Sequence, residues 1–501
     1  MTDLPPNPPD TPPSQPAASR WAGRLPLIVL IAITLLGAIP RLAGLANVPP
    51  ALHPDEAATA ADAAAFFQTP ALTYAHERGG WVEGTYVATA AAPLALARAT
   101  GWFSLETAAR LPAALAGCLL ILAVAWAGRE LTRSWQVALG AAICLALQPW
   151  AWHFSHLALR GTLTPLLICV GLAAWLRSER AEHPRRWGVL AGLSLALAAA
   201  TYPPIRLQVP ILVAILWASR PKPDPERPQR RQARRWALGI TLGTVLLLLP
   251  WTLSGQGSER LGAVLAWEVE AGLIQNLGAV LKGYFRHFGT RFMFSGSSSR
   301  GFAPEGVGLL PRWQGVLLVL GILGCLLRHR RSDGLILALV LIFPLAAAPT
   351  RDVPNAMRAV LGIAALALLA GRGWQVLRAV VVAGHQESRR AGLLMASVVL
   401  ALAIAAGWAT SRKAYLYFVR YPEREAEFYY PGRRELIERA ALLAAKGQAT
   451  RCELPFLEAS LRLYAPTLPA KRTGDRWTLG PGEPTRALSL DGTRVRERRL
   501  R

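Results

Sequence analysis

The sequence predicts an all-α polytopic membrane protein, and three observations carry that expectation. Of the 501 residues, 52% are hydrophobic and only 17% are charged. Mean hydropathy is +0.29, too apolar for a soluble chain of this length. Apolar runs recur along most of the sequence, with Trp and Arg at their ends as interface anchors. Much of the net charge of +24 falls in short loops between alternate runs, the pattern of cytoplasmic loops. No glycine-rich phosphate loop and no RNA-binding aromatic pattern accompanies the charge, so nucleic acid is not an expected partner. Cys118, Cys144, Cys169 and Cys325 lie in apolar runs and Cys452 in the polar tail. Their spacing suggests neither zinc nor a disulfide framework.

Taken in order, residues 1–24 are rich in Pro and Ser and are expected to form a disordered cytoplasmic tail. Arg20 and Arg24 lead into a run that continues without a cleavage site. Eleven apolar runs follow: Leu25–Pro40, Leu111–Ala127, Val137–Trp152, Gly161–Leu176, Trp187–Tyr202, Leu207–Ser219, Trp236–Trp251, Gly315–Leu327, Gly334–Ala348, Ala359–Ala370 and Ala391–Trp408. Together, residues 25–408 make the expected membrane domain. With the N-terminus inside, the basic loops at Arg129/Arg133, Arg177–Arg186, Arg220–Arg235, Arg328–Arg331 and Arg372–Arg390 become cytoplasmic. Regions 41–110, 153–160, 203–206, 252–314, 349–358 and 409–501 become external. The apolar stretch Thr85–Leu96 would reverse every later loop if it spanned alone, so it is expected to be re-entrant or interfacial.

The tail 409–501 is polar and is expected to form a small extracytoplasmic α/β region. Helical spacing of Leu436, Ile437, Ala440, Leu443 and Ala444 predicts a helix over Arg433–Lys446. Glu453–Leu457 and Trp477–Leu479 read as short strands. The external region 252–314 carries Gly283-Tyr284-Phe285-Arg286 and the Gly/Ser stretch ending at Arg300. A substrate lid and a plain connector both fit it.

The chemistry centres on Arg41 to Ala57, just past the first run. Pro54 suits the first turn of a helix, where its missing N–H costs nothing, and Ala57–Phe67 continues that helix. Asp55 and Glu56 then sit at its N-terminus beside the membrane, and Asp62 shares the face of Asp55. By spacing alone, a helix-capping acid pair on a solvated loop also fits. Three short external turns each place an arginine at the start of a helix: Arg160 after His153 and His156, Arg206 after Tyr202, and Arg358 after Pro354-Asn355-Ala356-Met357. The planar donor fork of arginine suits phosphate, although a lone interfacial arginine also snorkels to headgroups.

The pattern of a first span, Arg41-Leu42-x-x-Leu45, and then Pro49-x-x-Leu52-His53-x-Asp55-Glu56-Ala57 resembles the membrane glycosyltransferases of family 39. That family includes the protein O-mannosyltransferases and the aminoarabinose transferase of lipid A. Ala108-Ala109-Arg110-Leu111-Pro112 and the Pro354–Arg358 turn resemble further family patterns. The resemblance implies the GT-C fold and transfer of a sugar from a polyprenyl-phosphate donor to a hydroxyl acceptor. It also implies Asp55 as catalytic base, with Glu56 orienting it or the acceptor. His53, His156, Arg160, Tyr202, Arg206 and Arg358 are the expected substrate-binding residues. A helix N-terminus stabilises the Asp55 anion and weakens it as a base; burial against lipid or donor is the expected offset. Loop 153–160 contains no acid, which departs from metal-using relatives, so no metal or other cofactor is expected. Glu77, Glu83 and Glu305 are the remaining acids of interest in the two long external regions. The alternative of a transporter or lipid flippase would place ionisable groups inside the spans, where the runs hold almost none. A non-catalytic scaffold would leave the Asp55 region unexplained.

Overall fold

The computed structural model describes residues 17–75, 81–221, 225–253, 255, 261–268, 270–298, 301–455, 457–491 and 494–500. The first sixteen residues of the expected tail, Glu77 and Arg300 lie outside the described residues. Every one of the eleven apolar runs is helical over most of its length. The helices before and in the first part of the membrane domain are α1 (Ala17–Leu42), α2 (Pro54–Ala65), α3 (Thr85–Thr100), α4 (Leu105–Thr132), α5 (Trp135–Ala146) and α6 (Pro149–Ser155). Next come α7 (Thr164–Ser178), α8 (Pro184–Thr201), α9 (Ile205–Ala218) and α10 (Pro228–Leu253). After α11 (Leu273–Arg286), the domain closes with α12 (Arg312–Arg328), α13 (Arg331–Ile342), α14 (Gly362–Glu387) and α15 (Arg389–Tyr415).

Among the described residues, five helical stretches are long and apolar enough to cross a membrane: Arg24–Leu42, Leu105–Thr132, Arg160–Ser178, Gly362–Gly384 and Leu393–Arg424. The pair α5 and α6 adds a sixth if it acts as one span, bent by 63°. The bend has a local cause. Gln148 precedes a proline and takes φ −89°, ψ 116°, because the ring of Pro149 disfavours the helical region for its predecessor. The remaining helices are shorter or more charged. The core is made by α4, α5, α7 and α14, with Trp150, Trp175 and Leu368 fully buried. By contrast, α1 exposes Leu35 and Leu36, and α15 exposes Leu394 and Ile404, the dress of lipid-facing helices. Helices α12 and α14 cross backbone to backbone. A Cβ on Gly373 would sit 1.9 Å from the Leu317 carbonyl oxygen, and one on Gly321 would sit 2.2 Å from that of Leu369, the small-residue contact typical of membrane helix pairs.

The segment expected to be re-entrant or interfacial is helix α3, packed between α2 and α4 in a second apolar cluster around Leu52, Ala60, Tyr86, Leu94 and Ala108. Its end is set by Gly101 at φ 67°, the left-handed cap that glycine takes without strain. Helix α2 begins at Pro54, where expected, with His53 as its cap, and ends at Ala65, two residues short of Phe67.

Two boundaries differ from expectation at the C-terminal end. The last membrane helix does not stop at Trp408: its column continues through Leu416–Arg420 and Tyr421–Arg424, carrying Tyr417 and Tyr421 inward. The expected strand Glu453–Leu457 does not form among its described residues: Pro455 has no N–H for a ladder, and Leu457 opens a helix. The strand is instead Ala449–Cys452, where Thr450 and Cys452 alternate inward. After a short hairpin of β1 (Thr73–Ala75) and β2 (Trp81–Glu83), the C-terminal sheet comprises β3 (Ala449–Cys452), β4 (Ala470–Thr473), β5 (Arg476–Leu479), β6 (Pro484–Asp491) and β7 (Arg494–Arg499). Its order is β4-β5-β3-β6-β7, with only the β3–β6 pairing parallel. Helices α16 (Arg433–Ala444) and α17 (Leu457–Tyr464) supply its core, and α17 also packs on α2.

Within region 252–314, α11 exposes Leu273, Leu277, Leu281 and Phe285, residues four apart on one face. The chain then returns through glycines at positive φ, including Gly301 at 85° and Gly308 at 87°.

Candidate active site

The site is built around a buried ion pair. Arg110, on α4, and Glu56, on α2, are both fully buried, with Arg110 Nε 3.0 Å from Glu56 Oε1 and Nη2 3.2 Å from Oε2. Glu56 also accepts the N–H of His53 at 2.8 Å and the N–H of Ala158 at 2.7 Å. The Arg110 guanidinium donates in addition to the carbonyls of Leu45, Pro49 and Ala51. One side-chain pair thus fixes the start of α2, the loop before it and the turn two residues before Arg160. Glu56 is committed within the protein and positions its neighbour, which carries a partly exposed carboxylate.

That neighbour is Asp55, whose side chain is 23% exposed. Its backbone N–H donates to His53 Nδ1 at 3.2 Å, and its carboxylate oxygen lies 3.9 Å from the same nitrogen. Because Nδ1 accepts, it carries no proton, and its one lone pair is taken by the Asp55 N–H. The His53 ring is buried and packs against Phe302, Phe428 and Tyr429 at centroid distances of 5.6, 5.6 and 6.3 Å. At the other end of the same helix, Asp62 pairs with Arg462 of α17 at 2.9 Å; burial raises its carboxyl against the pull of that arginine.

Behind His53, an aromatic and histidine network ties three segments. His153 Nε2 donates to the Gly301 carbonyl at 3.0 Å, which also accepts from Tyr429 Oη at 3.3 Å. Tyr417 Oη lies 2.9 Å from His156 Nδ1 and 3.3 Å from His153 Nδ1. His156 Nε2 reaches the Ala43 carbonyl at 3.0 Å, and burial pushes its ring down to about 3, so it is neutral. Both ring nitrogens of His156 are thus bonded inside the protein, and its side chain is buried.

Arg160, Tyr202 and Arg206 are brought together, and Glu83 of β2 stands between the cations. Arg160 Nε lies 3.2 Å from one Glu83 oxygen and Arg206 Nη2 lies 2.5 Å from the other. The Arg160 guanidinium sits 5.8 Å from the Tyr202 ring centroid. Arg206 also donates to Thr252 Oγ1 at 2.7 Å and to the Ala199 carbonyl at 3.2 Å. The Arg358 turn adjoins this group: a Cβ on Gly161 would meet Met357 Sδ at 3.0 Å and Tyr202 Cδ1 at 3.3 Å. Arg358 donates to Thr350 Oγ1 at 3.0 Å, while its N–H is received by the Asn355 side chain at 2.9 Å. Among the described residues it forms no ion pair. His287 holds that turn, accepting the Asn355 N–H at Nε2 and donating from Nδ1 to the Gly283 carbonyl; burial lowers its ring to about 4. A separate cavity of about 260 Å³ lies between region 41–110 and the C-terminal sheet region, lined by Leu52, Glu106, Tyr429, Arg434 and Tyr464. Asp55 does not line it.

Sequence reasoning placed Asp55, Glu56 and the arginine turns but missed the bridging role of Glu83 and the tyrosines that anchor both histidines. Five of the ten tyrosines fall between residues 415 and 430, and that crowding was the available signal.

The helical membrane domain is similar in fold to solved membrane glycosyltransferases. Residues 92–251 match the family model described as dolichyl-phosphate-mannose-protein mannosyltransferase. No curated protein matches the sequence. Among solved structures, the oligosaccharyltransferase of Archaeoglobus fulgidus, tethered to an acceptor peptide containing the NVT sequon, superposes with a TM-score of 0.55 at 13% identity. The match covers 84% of this chain and 58% of that one, so this chain spans little more than half of its length. ArnT from Cupriavidus metallidurans, bound to undecaprenyl phosphate, gives a TM-score of 0.54 at 15% identity, covering 89% and 85%. The A. fulgidus enzyme AglB in complex with an inhibitory peptide and a dolichol-phosphate gives 0.53 at 15%, covering 83% and 58%. At such identities the likeness is one of fold.

Glu56→Gln replaces one acceptor oxygen by a donor facing other donors. It is expected to lower stability by about 3 kcal/mol or more, the scale for breaking a buried ion pair. A fall in the thermal unfolding midpoint of the detergent-purified protein checks this; an unchanged midpoint removes the clamp role.

Proposed function

We propose that this protein transfers a sugar from a polyprenyl-phosphate donor to a hydroxyl-bearing acceptor, with Asp55 as general base. The observation that carries the reading is the bond from Ala158 N–H to Glu56 Oε1. It ties the turn leading to Arg160 to the residue beside Asp55, so a base and a phosphate-binding turn share one support. In the step, the acceptor oxygen attacks the anomeric carbon as the bond from that carbon to the phosphate oxygen breaks. The electron pair leaves with polyprenyl phosphate, and the hydroxyl proton passes to the Asp55 carboxylate. Phosphate is a good leaving group, so the demand on the protein is a base and cations for the developing charge. Arg358, with Arg160 and Arg206, supplies the cations, and His53 and Tyr202 border the reacting groups. The neighbours support this class: ArnT is bound to undecaprenyl phosphate and AglB is in complex with a dolichol-phosphate. Sugar and acceptor remain classes, a hexose or pentose and a protein, lipid or glycan hydroxyl.

We further propose that the N-terminus lies in the cytoplasm of a cell-membrane protein and that the site and the C-terminal sheet region face outward. The alternation of basic loops supports this orientation. Reporter fusions at residues 225 and 430 should then report opposite sides of the membrane; reports from the same side would overturn it.

Asp55→Asn keeps size and most hydrogen bonding but cannot take the proton. Turnover is expected to fall ~100-fold or more with folding and donor binding intact, and a normal rate in the purified variant would move the base elsewhere. Arg358→Ala is expected to weaken donor binding far more than Arg358→Lys; equal affinity for both and for the parent protein would refute the phosphate role.

A further inference from the structure

We propose that Glu83 is a resident counter-anion: it holds Arg160 and Arg206 while the donor site is empty and yields them to the phosphate of the lipid-linked donor. The proposal rests on the phosphate site described above and adds the residue that governs its affinity.

Three observations support it. The first is charge. Arg160 and Arg206 are only 13% and 8% exposed, and a single carboxylate, itself 10% exposed, lies between them. Among the described residues neither arginine forms any other ion pair, so the triad keeps one positive charge that burial penalises. A phosphate placed there adds the missing negative charge. The second is geometry. Glu83 presents one oxygen to each guanidinium, at 3.2 and 2.5 Å. It hydrogen-bonds Arg206 but meets Arg160 only as an ion pair, leaving the Arg160 Nε donor and its own second oxygen without a hydrogen bond; two oxygens of a phosphate group could satisfy both forks.

The third is the element that carries Glu83. It is the last residue of a two-stranded hairpin with three residues in each strand, an element too small to hold itself rigidly. Arg160 and Arg206, by contrast, stand at the starts of packed helices. Arg206 has anchors besides Glu83 in Thr252 and the Ala199 carbonyl. The carboxylate can therefore swing away while the cations stay. The same competition aids release. A lipid phosphate diester carries one negative charge, whereas the monoester product carries about 1.5 to 2 at pH 7. The product binds the arginines more tightly than the donor does, and a tethered carboxylate returning to them displaces it.

The test measures binding of undecaprenyl phosphate, as the probe, to detergent-purified full-length protein. If Glu83 occupies the arginines about nine-tenths of the time, Glu83→Gln should bind about tenfold tighter, and Arg206→Ala and Arg358→Ala should bind more weakly than the parent. Tighter binding by Glu83→Gln combined with weaker binding by the arginine variants supports the proposal. Equal or weaker binding by Glu83→Gln, with Arg206→Ala still weakened, makes Glu83 a structural clamp; that overturns the proposal and leaves the phosphate site standing. Unchanged binding in both arginine variants overturns the phosphate site and the proposal with it. Should Glu83→Gln fail to fold, Glu83→Asp replaces it. That variant keeps the charge, but one carbon shorter it cannot span both forks, so binding should tighten a few-fold. Unchanged or weaker binding overturns the proposal.

Discussion

A guanidinium has five N–H donors, and at Arg110 every one meets an acceptor: both oxygens of Glu56 and the carbonyls of Leu45, Pro49 and Ala51. A buried charge is tolerated only when it is so completely satisfied. The loop from Arg41 to His53 has little regular structure of its own, and its carbonyls are organised by this one cation. Glu56 in turn is saturated by Arg110, His53 and Ala158. The exposure of Asp55 follows from the saturation of its neighbour: of two adjacent acids, one is consumed by the frame and the other is left at the surface of the site.

Histidine serves this frame as a neutral connector. His153 and His156 share Tyr417, and each spends its other nitrogen on a backbone carbonyl. Burial keeps the His156 ring unprotonated, so the network adds no positive charge behind Asp55. The net positive charge lies instead in the arginine turns on the far side of Ala158. Separating a carboxylate backed by neutral groups from a cationic phosphate site keeps the two chemical tasks from quenching each other.

Much of this was legible in the sequence. Apolar runs with basic loops announce the membrane helices, and the spacing of Asp55, Glu56 and Arg110 within known motifs marks the frame. What stayed illegible depends on contacts between distant segments. Nothing local to Glu83 says that it bridges Arg160 and Arg206, because the three meet only when the hairpin folds over two helix starts. The stretch Glu453–Leu457 reads as strand-like, yet Pro455 and the burial of Thr450 and Cys452 shifted the strand upstream. The run beyond Trp408 looked like a domain boundary because its charged residues hide the tyrosines that face inward.

The long reach of these contacts bears on how the chain is made. Helix α2 packs on α3 and α4, all within the first third of the sequence, but Asp62 is matched by Arg462, 400 residues later, and the cover over His53 comes from Phe302, Phe428 and Tyr429. During synthesis the early acid-bearing segment therefore waits, with Asp62 lacking Arg462 and His53 lacking its aromatic cover, until nearly the whole polypeptide has passed through the ribosome. Maturation of the site is the last event of assembly, and a ribosome that stops anywhere before residue 429 releases a chain that holds the acids but lacks the walls around them.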